Sequence, residues 1–318
     1  MYFFLIFETR PIYKQAKPVT PHQTNKQKFK GTTMTKKLPT KQIVKLFYSH
    51  IKPQLPTPNK SILLNIHGFL GSKMMFHSVN RALASRINTD IYTVDIRNHG
   101  DSPQAHPMTY DAFYNDMLKF IEDEIPADRG IDIVGYSMGA KIGMMLALNQ
   151  KMSNRVRKVV AIDAPPYDTP NLPVEIYNNW GLINDVVNGK IRIKRGGIQW
   201  RNKIIDLLGI YFGSGFLQQE CNYISKNNKL VEYYLPVHEF PNVVEDLKRW
   251  EIMPDMKGNN EDVEFLLQRG MKSCMVDSDY DRIKRVFPKA QIEEFNTSHN
   301  LIFEEFDKCI ESLTRFLK

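Results

Sequence analysis

The chain has 318 residues, 42% of them hydrophobic and 25% charged, a globular balance that excludes a collagen-like, low-complexity or wholly disordered protein. Its net charge of +8 is concentrated: residues 1–60 hold twelve Lys or Arg and one acid, Glu8. Residues 61–318 are therefore slightly acidic, and a nucleic-acid surface on the folded part is not expected.

At the start, Lys14, Lys17, Lys26, Lys28, Lys30, Lys36 and Lys37 are mixed with Pro11, Pro18, Pro21 and Pro39. Such a composition buries too little apolar surface to fold, so residues 1–42 are expected to be a disordered basic tail. Near-absence of acids fits a mitochondrial presequence. Against this, Arg10 is the single arginine before residue 41 and no serine precedes Ser49, so a solvated extension stays open. Residues 2–7 are apolar but too few for a signal peptide or a membrane span, and no span is expected. Met34 is an alternative start.

From residue 43 short apolar runs alternate with amphipathic stretches, the pattern of a mostly parallel sheet covered by helices on both faces. A first strand is expected over 43–51 and a buried one over 61–66 (SILLNI). The second runs directly into His67-Gly68-Phe69-Leu70-Gly71-Ser72. A tetrahedral oxyanion needs two backbone N–H donors shielded from water, and the amides of Phe69 and Met138 are the candidates. A strand-to-helix turn that needs glycine for its bend is the plain alternative.

A helix over 74–86 and a central strand over 91–95 lead to Asp95-Ile96-Arg97-Asn98-His99-Gly100-Asp101-Ser102-Pro103. Its Asp, Arg and Gly are expected to bond one another and brace the loop. Next come a helix over 110–124, with Thr109 as N-cap, and a buried strand over 131–134. That strand meets Gly135-Tyr136-Ser137-Met138-Gly139, a G-x-S-x-G at the entry to a helix over 138–149. A nucleophilic serine sits there on a strained turn, and the flanking glycines let strand and helix backbones approach.

The strand over 156–162 ends at Asp163, a candidate for the acid of a Ser-Asp-His relay. Asp277, Asp279 and Asp281, one strand later, remain alternatives. After Pro165 the periodicity changes, and about 168–262, rich in Trp and Tyr, reads as a helical cap. A strand over 263–267, a helix over 281–287, a strand over 291–295 and a helix over 301–316 complete the domain, 43–318. His299, in Thr297-Ser298-His299-Asn300 between the last strand and last helix, is the candidate base, because its loop lies at the same sheet edge as Ser137. Cys221, Cys274 and Cys309 form no C-x-x-C pair. They give no support to a disulfide framework or a metal site, and are expected as buried thiols in a reducing compartment.

HGFLGSK, DIRNHGDSP, GYSMGAK and AIDAPP, in this order, resemble the mitochondrial α/β-hydrolases related to the yeast ethanol acetyltransferases. The likeness runs over residues 43–318. It implies an α/β-hydrolase fold, a mostly parallel central sheet with a helical cap inserted after the sixth strand. It also implies an acid placed after the strand that follows the nucleophile, which favours Asp163. The activity implied is formation of ethyl acetate from acetyl-CoA and ethanol, with hydrolysis of thioester or ester when alcohol is scarce. Acetyl-CoA would be a substrate, and no cofactor is implied. Two positions depart from the pattern: Tyr136 stands where His is common, and Ser298 where Gly usually precedes the histidine. Lys190, Arg192, Lys194, Arg195, Arg201 and Lys203 either meet the phosphates of coenzyme A or form a solvated face. The rivals are a carboxylesterase or lipid hydrolase without transferase activity, and a scaffold that binds a partner.

Overall fold

The computed structural model describes residues 42–55, 61–152, 154–172, 202, 240–250 and 252–318, all in the unit Thr40–Lys318. The tail expected over 1–42 lies outside the described residues apart from Gln42. So do Cys221, the six basic residues of 190–203, and most of the stretch expected as a cap.

Strand formation follows from burial on both faces, which requires nearly unbroken apolar runs. Among the described residues seven strands make one sheet: β1 Phe47–Ile51, β2 Ser61–Ile66, β3 Ile91–Asp95, β4 Gly130–Tyr136, β5 Val156–Ile162, β6 Glu264–Gly270 and β7 Ala290–Phe295. Their spatial order is β1-β3-β2-β4-β5-β6-β7. Only β1 runs antiparallel to its neighbour, β3. All other pairings are parallel.

The helices among the described residues are α1 His77–Ile87, α2 Tyr110–Glu124, α3 Met138–Leu148, α4 Phe240–Lys248, α5 Tyr280–Val286, α6 Leu301–Glu304 and α7 Phe306–Leu317. Strand side chains alternate between two cores. Ile131, Ile133, Val159 and Ala161 join α2 and α3 in one cluster. Val134, Tyr136, Val160 and Ile162 join α1 and α7 in the other. All residues of α3 are buried, which explains why Ala, Met, Leu and Ile fill it apart from Gly139, Gly143 and Lys141. The stretch expected as a cap after a sixth strand instead follows β5, the fifth described strand. Its returning helix, α4, leads through an isolated bridge from Met256 to Asn149 back toward β6. No helix among the described residues is long and apolar enough to cross a membrane.

Three elements differ from expectation. Pairing of β1 begins at Phe47 rather than residue 43, because the preceding backbone is taken by an internal ion pair. Val44 N–H donates to Asp116 Oδ1 and the Gln42 carbonyl accepts from Arg97 Nη2. The helix expected over 74–86 opens as a 3-10 turn, Lys73–Phe76, before α1. The terminal helix breaks at Glu305 (φ −129°, ψ 56°), separating α6 from α7. The side chain of Glu304, at the end of α6, turns back to bond Ser298.

Candidate active site

Ser137, Asp163, His299 and Phe69 all follow the C-terminal ends of parallel strands, the rim where open α/β sheets bind ligands. Ser137 sits between β4 and α3 at φ 53°, ψ −116°, a left-handed backbone that costs a non-glycine residue about 1–3 kcal/mol. Its surroundings hold it there. Ser137 N–H donates to Ile162 O at 2.9 Å, while its carbonyl accepts from Ala140 and Lys141. The flanking glycines are required by contact: a Cβ on Gly139 would lie 2.1 Å from Ile66 O, and one on Gly135 would lie 2.4 Å from Gly139 O. Strand β2, strand β4 and α3 therefore meet backbone to backbone, with Ser137 at the apex and only 8% exposed.

The structure brings Asp163 and His299 together. Nδ1–H of His299 donates to Asp163 Oδ2 at 2.7 Å, which leaves Nε2 as the acceptor on the ring. The other carboxylate oxygen of Asp163 accepts from Gly270 N–H at 3.0 Å. Asp163 is fully buried and also has positive φ, 49°. Its own N–H donates to Gln268 O at 2.8 Å. Of the rival acids, Asp277 accepts from the Tyr167 hydroxyl and pairs with Arg282, and Asp279 and Asp281 lie at the start of α5. Cooperation between Tyr136 and the His299 loop was not legible in the sequence: the Tyr136 hydroxyl donates to the His299 carbonyl at 3.0 Å.

The turn that carries Phe69 is held by two buried histidines. Ile96 N–H donates to His67 Nε2 at 3.0 Å, so the proton sits on Nδ1 and is donated to Gly68 O at 2.7 Å. Likewise Leu70 N–H donates to His99 Nε2 at 3.2 Å, and His99 Nδ1–H donates to Arg97 O at 2.9 Å. Both rings work as neutral bridges. Burial pulls His67 below its usual pKa and His99 down to about 3. Met138 opens α3, where the first amides have no acceptor within the helix.

The loop after β3 braces itself differently from expectation. Asp95 accepts from Lys73 N–H and Nζ, both at 2.6 Å, and from Asp101 N–H at 2.9 Å. Arg97 does not join them. It is buried and forms a two-pronged pair with Asp116 of α2, at 2.5 and 2.6 Å. A buried guanidinium needs a carboxylate that matches its fork, and α2 presents one from inside the core.

The ends of the long insertion are fastened beside this rim. Thr169 N–H and Oγ1–H donate to Lys248 O, and Trp250 N–H donates to Asp168 Oδ1 at 2.6 Å. Lys141, one turn beyond Ser137, donates to the carbonyls of Leu247, Lys248 and Arg249 at 2.9–3.2 Å. A cavity of about 330 Å³ between Gln42, Tyr114 and Asp255 is lined by none of Ser137, Asp163 or His299. Cys309 is buried and pushed up to about 12 by burial, as expected of an inert thiol, but Cys274 is exposed.

The alpha/beta hydrolase fold family matches residues 61–306. Ethanol acetyltransferase 1 of Eremothecium cymbalariae is 29% identical, over 89% of this chain and 83% of the relative. The protein of the same name from Kluyveromyces lactis is 29% identical, over 88% and 81%. A probable alcohol acetyltransferase of Wickerhamomyces anomalus is 26% identical, over 89% and 88%. Among solved structures, a marine microorganism esterase superposes with a TM-score of 0.67 at 20% identity, covering 86% of this chain and 99% of the other.

Proposed function

Because the chain belongs to the alpha/beta hydrolase fold family, we propose that it is a serine-dependent acyltransferase that makes acetate esters, ethyl acetate among them, from acetyl-CoA and an alcohol. Ser137, His299 and Asp163 form its triad. The observation that carries this reading is the buried Asp163–His299 bond of 2.7 Å, on a loop fastened to the residue preceding a strained Ser137. The names of the relatives supply the acetyl group and the acceptor, ethanol; acetyl-CoA as the donor is part of the proposal.

His299 Nε2 takes the Ser137 proton as Oγ attacks the thioester carbonyl. The amides of Phe69 and Met138 hold the resulting oxyanion, a contribution of roughly 10²–10³ in rate for each such donor. The carbon–sulfur bond then breaks, and the proton on Nε2 passes to the departing thiolate. An alcohol enters, gives its proton to Nε2 and attacks the acetyl-serine; collapse releases the ester and returns the proton to Ser137. Asp163 keeps the imidazole in the Nδ1–H tautomer and stabilises its charged form. Water in place of alcohol gives acetate, so thioesterase and esterase side activities use the same residues. The acid-poor composition of residues 1–42 supports mitochondrial residence as part of this reading.

Product analysis with acetyl-CoA and ethanol supplied together is the direct test. Ethyl acetate is expected from the unaltered chain, and neither ester nor free thiol above background from Ser137→Ala. Acetate as the sole acyl product would make the enzyme a hydrolase without transferase activity, and retained turnover in Ser137→Ala would end the triad assignment.

A further inference from the structure

Tyr136 lies one residue before Ser137 and is among the largest fully buried side chains of the described residues. Three contacts surround it. Its hydroxyl donates to the His299 carbonyl at 3.0 Å, with Asn300 Oδ1 at 3.4 Å. Its ring lies 5.0 Å, centroid to centroid, from the His299 imidazole. Its other side closes over Gly68, where an added Cβ would fall 2.7 Å from Tyr136 Cδ1. A rigid aromatic ring therefore spans from the turn carrying Phe69 to the loop carrying His299.

The chemistry of the proposed triad makes that span consequential. A general base must stand within hydrogen-bond reach of the hydroxyl it deprotonates, and an error of about 1 Å in such placement can cost about 10²-fold in rate. Asp163 fixes Nδ1 of the imidazole but not the backbone from which the ring hangs. On one side that backbone is held by Ser298, whose N–H and hydroxyl both reach Glu304. On the other it is held by the Tyr136 hydroxyl. Since Tyr136 is covalently joined to Ser137, the bond to His299 O ties base to nucleophile through one side chain.

We propose that Tyr136 is a positioning residue, setting the distance between the His299 loop and the Ser137 elbow through its hydroxyl and the seat of the Phe69 turn through its ring. This rests on the triad reading above. The hydroxyl acts on transition-state geometry rather than on substrate affinity, so its loss lowers kcat and leaves KM in place.

The test is Tyr136→Phe in the full chain, assayed on p-nitrophenyl acetate beside Ser137→Ala, with thermal midpoints for each. Expected for Tyr136→Phe is a fall in kcat of roughly tenfold with KM within about twofold. The rate of serine labelling by a fluorophosphonate should fall by a similar factor, with a midpoint within about 4 °C of the unaltered chain. Unchanged kcat in a folded Tyr136→Phe, with Ser137→Ala inactive, overturns the positioning role and leaves the triad standing. Parallel changes in kcat, KM and midpoint overturn it too, since they report general structural damage. Turnover retained by Ser137→Ala removes both readings. Should Tyr136→Phe fail to fold, Gly68→Ala presses on the same ring from the opposite side; full kcat in that variant overturns the proposal.

Discussion

At Asp163 a buried carboxylate, a left-handed backbone and three hydrogen bonds coincide, and each depends on the others. Residues in sparsely populated backbone regions persist where their surroundings over-determine them. Here the Gln268 carbonyl holds the Asp163 amide while Gly270 N–H and His299 Nδ1–H hold its two carboxylate oxygens. Substituting Asn keeps the shape but offers only one acceptor oxygen to two donors. The amide NH₂ then faces either Gly270 N–H or His299 Nδ1–H. The second arrangement favours the wrong imidazole tautomer, with the proton on Nε2 and no acceptor left for the Ser137 hydroxyl. Asp163→Asn is therefore expected to lower kcat by about 10⁴ with a preserved fold, whereas Asp279→Asn stays within about twofold. Steady-state assays of both variants decide the point, and an Asp163→Asn enzyme of near-normal kcat would hand the role of the acid to another carboxylate. The sequence left this choice open because Asp163, Asp277, Asp279 and Asp281 all follow strands at the same sheet edge. Which carboxylate meets the imidazole is a matter of a few ångströms between distant segments, and no spacing along the chain encodes that.

Elements whose boundaries are set by their own residues were legible. The strands Ser61–Ile66, Ile91–Asp95 and Val156–Ile162 and the helix Tyr110–Glu124 have the bounds their apolar runs and turn residues indicate. Thr109 caps that helix as its residue type suggests, accepting from Ala112 N–H at 3.3 Å. Elements whose boundaries are set by distant partners were not legible. Residues 43–46 have the composition of a strand, yet Val44 N–H and the carbonyl of the preceding Gln42 serve the Arg97–Asp116 pair instead of a ladder. Both charges of this pair are withdrawn from water. Arg97 is 2% exposed and Asp116 fully buried, and truncating one partner strands the other charge away from water. Asp116→Leu should destabilise the fold by about 3–5 kcal/mol. Because an apolar replacement of both partners leaves no orphaned charge, the double variant Arg97→Met with Asp116→Leu should recover much of that loss. Urea unfolding of the unaltered chain, the single variants Asp116→Leu and Arg97→Met and the double variant measures it. Additive losses in the double variant would show that the pair is not an energetic unit.

Across the whole molecule, Lys141 joins α3 to the point where the chain returns from its long insertion. The ammonium group is buried, lies 5.7 Å from the centre of the Tyr110 ring and donates to three consecutive carbonyls at the C-terminal end of α4. The negative end of that helix favours a cation there, yet burial dominates and pulls Lys141 down to about 7, with Asp168 acting in the opposite direction. The charged groups of the returning segment are Glu245, Asp246, Lys248 and Arg249, with Lys248 paired to Glu245 at 2.8 Å. In the unfolded chain the lysine titrates near its ordinary value of about 10.4. Between these two values the unfolded state holds a proton that the folded state has released, so stability rises with pH through that window and is lowest below about 7. The slope at mid-window approaches about 1.4 kcal/mol per pH unit. Lys141→Met keeps most of the volume and removes the titration. The difference in unfolding free energy between the unaltered chain and Lys141→Met should therefore shift in favour of the unaltered chain as pH rises from 7 to 10. Subtracting the variant cancels the titration of Tyr110 and of the surface groups common to both. A difference that stays flat over this range would mean that the lysine keeps its proton in the fold, with the three carbonyls and the helix end outweighing burial. A difference that moves the other way would mean that the ammonium clamp itself holds the two ends of the insertion against the sheet and is lost on deprotonation.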